Sequence, residues 1–213
     1  MIFRIVAVCS ANTCRSPLIA AALERSFLSE GLWGEVMVHT AGLNAVPGQG
    51  ACPEMMAQAR TRNLPFLALE RHRSANLSEG VADRADLVLA ADRHVRSLAI
   101  RRVGGVTGDR IFTLREAAEL AVEVTGGAGT STAERLRNVI AAMNHARGFT
   151  ELPRTDRVVT LAQPWRPLTL HAHDVPDAHE PPVAPHRLVR RLVVGSAERL
   201  VTTMAAATRR EPS

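Results

Sequence analysis

Cys9 stands six positions ahead of Arg15, and Ser16 follows directly, in the run Cys9-Ser10-Ala11-Asn12-Thr13-Cys14-Arg15-Ser16. A thiolate is a nucleophile, a guanidinium grips two oxygens of an oxyanion side by side, and a hydroxyl donates to sulfur. Placement lets the three act together. Residues 2–8 form a run of β-branched and bulky apolar side chains interrupted only by Arg4 and Ala7, which predicts a buried strand of a parallel sheet. Ser16-Pro17 ahead of LIAAALERSFL predicts a helix, with the serine hydroxyl as N-cap and proline at the first helical position. The segment therefore lies at the carboxyl end of the first strand, where ligands bind in open α/β sheets. Successive backbone N–H groups from Ser10 to Arg15, entering a helix, make an anion-sized nest with positive potential. A thiolate held beside such a nest attacks phosphorus.

The elements that must position this loop follow along the chain. Gly31 and Gly34 break the first helix, residues 36–40 read as a second strand, and Ala41-Gly42 turns into a loop through Pro47 and Gly50. Helices are expected over 53–62 and 77–84, and 86–90 is the clearest short buried strand after the first. A helix over 92–102, a fourth strand over 111–114 and a helix over 115–124 complete the alternation. Strands separated by helical crossovers imply an α/β fold: a doubly wound, four-stranded parallel sheet flanked by helices. From Thr125 the pattern changes to a Gly-rich loop, a helix over 133–147 and a loop-like stretch to Arg166. Structureless loops this long are unusual inside a domain, so 125–166 reads as an insertion carrying a helical segment. An irregular Pro/Asp/His-rich stretch over 171–185 precedes a last amphipathic helix over 187–207. The expected organisation is one domain over 1–207 with that insertion, and a tail over 208–213.

Composition excludes several classes. The 213 residues are 46% apolar and 22% charged, the balance of a globular chain rather than a disordered one. No apolar run reaches the roughly 18 residues that would span a bilayer. The N-terminal apolar stretch enters a polar loop with no small-residue cleavage site, so it does not read as a signal peptide, and a cytoplasmic protein is expected. Cys9, Cys14 and Cys52 are an odd number of cysteines without C-x-x-C spacing, which points to free thiols. All basic residues are Arg, scattered but for short pairs, and only 3% of residues are aromatic, so neither a nucleic-acid stacking surface nor a membrane partner is expected. The oligomeric state is left open.

With these residues in place, the chain resembles the low-molecular-weight protein-tyrosine phosphatases, whose signature is C-x5-R-[ST] just after the first strand. Further matches are Thr40-Ala41-Gly42, His72-Arg-Ser with Leu77 behind it, Ala85 to Ala90 with Asp92 following, and Asp174-Val-Pro-Asp177. They span residues 1–120 and 171–207. The resemblance implies a flavodoxin-like phosphatase fold and a phosphomonoester hydrolase, most simply a protein-tyrosine phosphatase working through a phosphocysteine on Cys9. Arg15 and the loop amides of Ser10, Ala11, Asn12, Thr13 and Cys14 would bind the phosphate, and Ser16 would support the thiolate. Asp177 would be the general acid, with Asp174 as the alternative. Asn12 would hold the loop and His72 would support Asn12. Neither metal nor cofactor is implied, and the substrate would be a phosphotyrosine protein or a small aryl phosphate.

The sequence departs from the family pattern in three places. Ala11 replaces the usual glycine, which would strain the loop if that position needs a positive φ. Asp177 is followed by Ala178-His179-Glu180 rather than by proline and aromatics, and the 125–166 segment stands just before the acid loop, where it would cover the site or bind a partner. Cys14 reads equally as a resolving thiol for Cys9 or as filler at the helix start. Cys52 reads as core packing. His171, His173 and His179 with Asp174 look like metal ligands, yet clustered loop histidines are commoner than sites. Two rivals stand beside the phosphatase: an arsenate reductase on the same fold, for which 82–91 lacks the relay cysteines, and a catalytically decayed oxyanion-binding module.

Overall fold

Strand β1 (Phe3–Cys9) is buried almost throughout because it separates two layers. Phe3, Ile5, Ala7 and Cys9 face one hydrophobic cluster and Val6 and Val8 the other, the period-two alternation of a strand with both faces covered. The computed structural model describes residues 1–103, 105–124, 127–147, 149–150, 157–159, 168–180 and 183–209. Among them β1 is flanked by β2 (Val36–Gly42) and β3 (Leu87–Ala90), and β4 (Ile111–Thr113) lies outside β3. All pairings are parallel, in the order β2-β1-β3-β4. The chain runs outward from β1 to β2, then crosses back past β1 to β3. That reversal opens a crevice at the carboxyl end of β1, where the phosphate-loop candidate begins.

Helix α1 (Arg15–Ser29) follows β1 and buries Leu18, Ile19, Leu23 and Phe27 on the larger cluster. Truncating a side chain such as Leu18 to alanine there costs about 2–5 kcal/mol. The helix begins two residues earlier than the serine cap predicts. Cys14 is the capping position and makes no side-chain cap, while the Ser16 hydroxyl turns to the Cys9 sulfur. Pro17 is tolerated because the first-turn N–H groups have no helical partner.

Helices α2 (Pro53–Arg60), α3 (Phe66–Arg71) and α4 (Glu79–Asp83) fill the crossover from β2 to β3. The sequence signal misses α3, six residues opened by Pro65, because so short a turn shows no full helical period. On the smaller cluster, α5 (Arg93–Val103) buries Val95, Ala99 and Val103. α6 (Leu114–Leu120) leaves β4 through a capping box in which Thr113 and Glu116 satisfy each other's backbone N–H.

The stretch read as an insertion that would cover the site or bind a partner divides in two. Helix α7 (Thr132–Ala146) buries Ala133, Leu136, Val139, Ile140 and Met143 in the same cluster as α8 (His186–Arg209). Its Arg137 pairs with Asp86 at 2.8 Å, at the amino end of β3 and so at the opposite edge of the sheet from the phosphate-loop candidate. Residues 157–159, expected as loop, form strand β5 (Arg157–Val159), antiparallel to β6 (Leu168–Leu170). Three-residue strands paired across an intervening segment leave no alternation long enough to read. The rest of the loop-like stretch, 151–156 and 160–166, lies outside the described residues.

Candidate active site

Between β1 and α1 the backbone folds around the Cys9 sulfur. The amide of Asn12 donates to Sγ at 3.2 Å, and the Ser16 hydroxyl lies 3.1 Å from it. Asn12 takes φ 57°, the left-handed region, which asparagine adopts more readily than most side chains. Among the described non-glycine residues only Asn12 and Asn63 do so; Ala11 does not, and the strain considered for it is absent. The turn falls one residue later, and asparagine carries it.

Asn12 is fully buried and each of its polar atoms has a partner. Its Nδ2 donates to Ser16 Oγ at 2.9 Å, its Oδ1 accepts from the Ala75 amide at 2.9 Å, and its carbonyl oxygen lies 2.6 Å from His72 Nε2. The imidazole is the donor there. Burial pushes the His72 pKa below its ordinary value, so the ring is neutral near pH 7 and carries its proton on Nε2. At Gly42 a Cβ would sit 2.6 Å from the Ser10 carbonyl oxygen, so only glycine lets β2 approach this closely.

Arg15 extends from the first turn of α1 and is nearly buried, between two carboxylates. Its Nη1 meets Asp92 at 2.5 Å and donates to the Val175 carbonyl at 3.3 Å, while Nη2 pairs with Asp177. Burial works against the charge, but Asp177 and Asp92 outweigh it and raise the Arg15 pKa above its ordinary value. Asp92 also caps α5 by accepting from the Val95 amide at 2.7 Å, which fixes the guanidinium in turn. The sequence places Asp92 after β3 without revealing this contact, which spans 77 positions.

Asp177 reaches Arg15 from an acid loop stapled to the carboxyl edge of the sheet. Val175 N–H donates to the Ala91 carbonyl, Thr113 Oγ1 to the His173 carbonyl, and Arg115 to the carbonyls of His171 and Asp174. Asp174 is one of the staples, since its carboxylate takes the amide and guanidinium of Arg93. Asp177 Oδ1 accepts the amides of His179 and Glu180, leaving Oδ2 on Arg15. Ala178, in place of the family's proline, packs into the large cluster.

Two cavities meet at the Arg15–Asp177 pair. One of about 260 Å³ lies over Cys9, Ala11, Thr13 and Cys14 and is walled by Glu54 and Glu180. The other, about 510 Å³, is bounded by Asp92, Leu170 and Asp174. Ser10 lines both. Cys52 lines the smaller one with Cys14. The hydrogen bond between them raises the Cys14 pKa and, against burial, lowers that of Cys52.

A buried cysteine sulfur accepting an amide hydrogen bond at a strand–helix turn whose helix opens on a buried arginine has the make-up expected of an oxyanion-binding thiol, and the family model for the low molecular weight phosphotyrosine protein phosphatases matches residues 4–146. The chain belongs to that family. The family is hydrolytic. The protein-arginine-phosphatase of Bacillus subtilis (strain 168) is 33% identical over 112 residues, covering 53% of this chain and 70% of that protein. The low molecular weight protein-tyrosine-phosphatase Wzb of Escherichia coli (strain K12) is 33% identical over 99 residues, 46% of this chain and 61% of that protein. These relatives are phosphatases, which sets protein phosphatase activity ahead of arsenate reduction for this family member. The solved low molecular weight protein tyrosine phosphatase from T. tengcongensis superposes with a TM-score of 0.61 at 19% identity, covering 94% of this chain and 98% of that one, and so shares the fold. The family match runs on through α7, beyond the residues that carry the sequence resemblance. Among the described residues no helix is long and apolar enough to cross a membrane.

Proposed function

We propose that this phosphatase works through Cys9 as nucleophile, Arg15 and the amides of residues 10–15 as phosphate clamp, and Asp177 as acid and base. The observation that carries this reading is the Cys9 sulfur, held by the Asn12 amide and the Ser16 hydroxyl at the mouth of a helix whose first residue is Arg15. A phosphate dianion entering the nest takes over the Arg15 guanidinium and frees the Asp177 carboxylate, which then stands beside the leaving group. The Cys9 thiolate attacks phosphorus as the bond from phosphorus to the leaving oxygen breaks, and protonated Asp177 gives its proton to that oxygen. Water then attacks the phosphocysteine while Asp177 accepts its proton. Inorganic phosphate departs and the thiolate returns to the Ser16 hydroxyl. No step calls for a metal.

Asp174 supports this assignment by being occupied elsewhere, on Arg93. Phosphotyrosine in proteins is the first substrate class. A second reading is favoured by the smaller cavity, which has carboxylates at Glu54, Asp177 and Glu180 and, among the described residues, no Phe, Trp or Tyr in its lining. Such a wall suits the cationic guanidinium of phosphoarginine, the residue for which the Bacillus subtilis relative is named, better than it clamps a phenyl ring. Three free thiols fit work in a reducing compartment, the cytoplasm.

The test is hydrolysis of an aryl phosphate, a phosphotyrosine peptide and a phosphoarginine peptide by the reduced protein with chelator present, beside Cys9→Ser. Turnover resistant to chelator and lost in the variant is the expected result. Folded, reduced protein that binds vanadate without turnover would instead identify an oxyanion-binding module.

A further inference from the structure

Four side chains from four segments converge beside the phosphate loop. Cys14 precedes α1, Cys52 precedes α2, His179 follows Asp177 by two residues, and His186 opens α8. Their sulfur and nitrogen atoms all lie within 4.8 Å of one another. Cys52 Sγ is 3.5 Å from His186 Nε2, which in turn is 3.4 Å from His179 Nε2. A tetrahedral zinc ion, with bonds of about 2.3 Å to sulfur and about 2.0 Å to nitrogen, sets a sulfur and a nitrogen about 3.5 Å apart and two nitrogens about 3.3 Å apart. The spacing matches both pairs.

We propose that Cys14, Cys52, His179 and His186 hold a zinc-class divalent cation in a Cys2His2 site. Two thiolates and two imidazoles select a borderline-soft ion over magnesium or calcium. Both sulfurs are buried just ahead of helices, while His179 is exposed and leaves the ion a path from solvent. As each metal–sulfur bond forms, the thiol proton passes to solvent and nothing changes oxidation state. Glu54, whose carboxylate accepts from the Cys52 thiol at 3.2 Å, gives up that hydrogen bond when the sulfur loses its proton to bind the ion. Neither Cys9 nor Arg15 belongs to the four, so the ion leaves the nucleophile and the clamping guanidinium unligated. Its consequence is mechanical. The site joins the phosphate loop through Cys14 to the acid loop through His179, and an occupied site pins Asp177 over Arg15.

The experiment is a Co2+ titration of the full-length, metal-stripped protein under a non-chelating reductant, followed by Zn2+ competition against a chromophoric chelator. One equivalent is expected, with the thiolate-to-cobalt charge-transfer band and the intense ligand-field bands of a tetrahedral ion. Both features persist in Cys9→Ser. Cys52→Ser and His186→Ala each weaken Zn2+ binding by more than about a hundredfold, since losing even an outer-shell partner costs about 10–100-fold. Because Cys52 is buried, His179→Ala on the surface serves as the second variant, and its far-UV circular dichroism should match the parent's. Unaltered binding in both histidine variants overturns the site. So does a signal lost in Cys9→Ser, which would put the ion on the nucleophile, or an octahedral cobalt spectrum without a thiolate band. A Cys14–Cys52 disulfide that survives the reductant, found by counting free thiols, overturns it as well. None of these readouts depends on turnover.

Discussion

The phosphate loop and the acid loop face each other across Arg15 and are built in opposite ways. From Cys9 to Ser16 the contacts around the sulfur are local, sulfur to the amide three residues on, sulfur to the hydroxyl seven on, and asparagine to the same hydroxyl four on, with His72 and Ala75 bracing Asn12 from behind. The stretch from His171 to Glu180 has little of its own. It is hung on Ala91, Arg93, Thr113 and Arg115, some 56–84 positions earlier in the chain. Short contacts cost little chain entropy to close, whereas a loop held by distant staples has its shape only once the sheet edge exists. One loop is preorganised to bind; the other is positioned to move with whatever it is tied to.

That contrast can be broken in order of effect. Cys9→Ser is expected to abolish turnover of every phosphoester while vanadate binding survives, because the amides and Arg15 remain; kinetics and vanadate titration read both. Asp177→Ala should slow hydrolysis of a phenyl phosphate by about 10²–10⁴ in kcat, and much less for an ester whose leaving group needs no proton. Equal losses on the two esters would move the acid elsewhere. Asp174→Asn removes a staple rather than an acid, and a loss of about tenfold is expected, carried by a less confined loop. A loss as large as that of Asp177→Ala would exchange the two roles.

The smallest effect concerns the support behind the phosphate loop. His72 has its folded pKa pushed below the ordinary 6.5 by burial, so the unfolded chain takes up the proton first. The stability contribution is therefore complete above about pH 6.5 and declines as pH falls through that value toward the lower folded one. In His72→Gln, which keeps a side-chain N–H in reach of the Asn12 carbonyl, denaturant midpoints should fall less steeply over that interval. Identical pH profiles for variant and parent would place the titration on another group, with His173, also lowered by burial, the first to replace.

What was legible in the sequence follows the same divide. Strand β1, the loop and α1 are contiguous, and each carries its own local signal. The misreadings near them are small and physical. Ser16 looks like a cap because serine beside proline at a helix start normally is one, yet here the sulfur claims its hydroxyl. Ala11 looks strained because the family has glycine there, whereas the left-handed turn sits on Asn12. Farther along, α3 and β5 were too short to show a period, and α7 looked detached because the Gly-rich loop before it hides its place in the core.

Sequence by itself determined the four strands of the main sheet with most of their helices, the candidate thiol loop and the family, because these rest on periodicity and on short motifs each read within a few neighbouring residues. Tertiary structure alone decided the rest. Asp92 and Asp177 flank Arg15, Asp174 is spent on Arg93, and Cys52 and His186 come to lie beside Cys14 and His179 across as many as 172 residues of chain. No local pattern encodes these approaches. They exist because four parallel strands bring the ends of distant segments to one edge of one sheet, where a carboxylate or thiol meets partners its sequence neighbours do not supply.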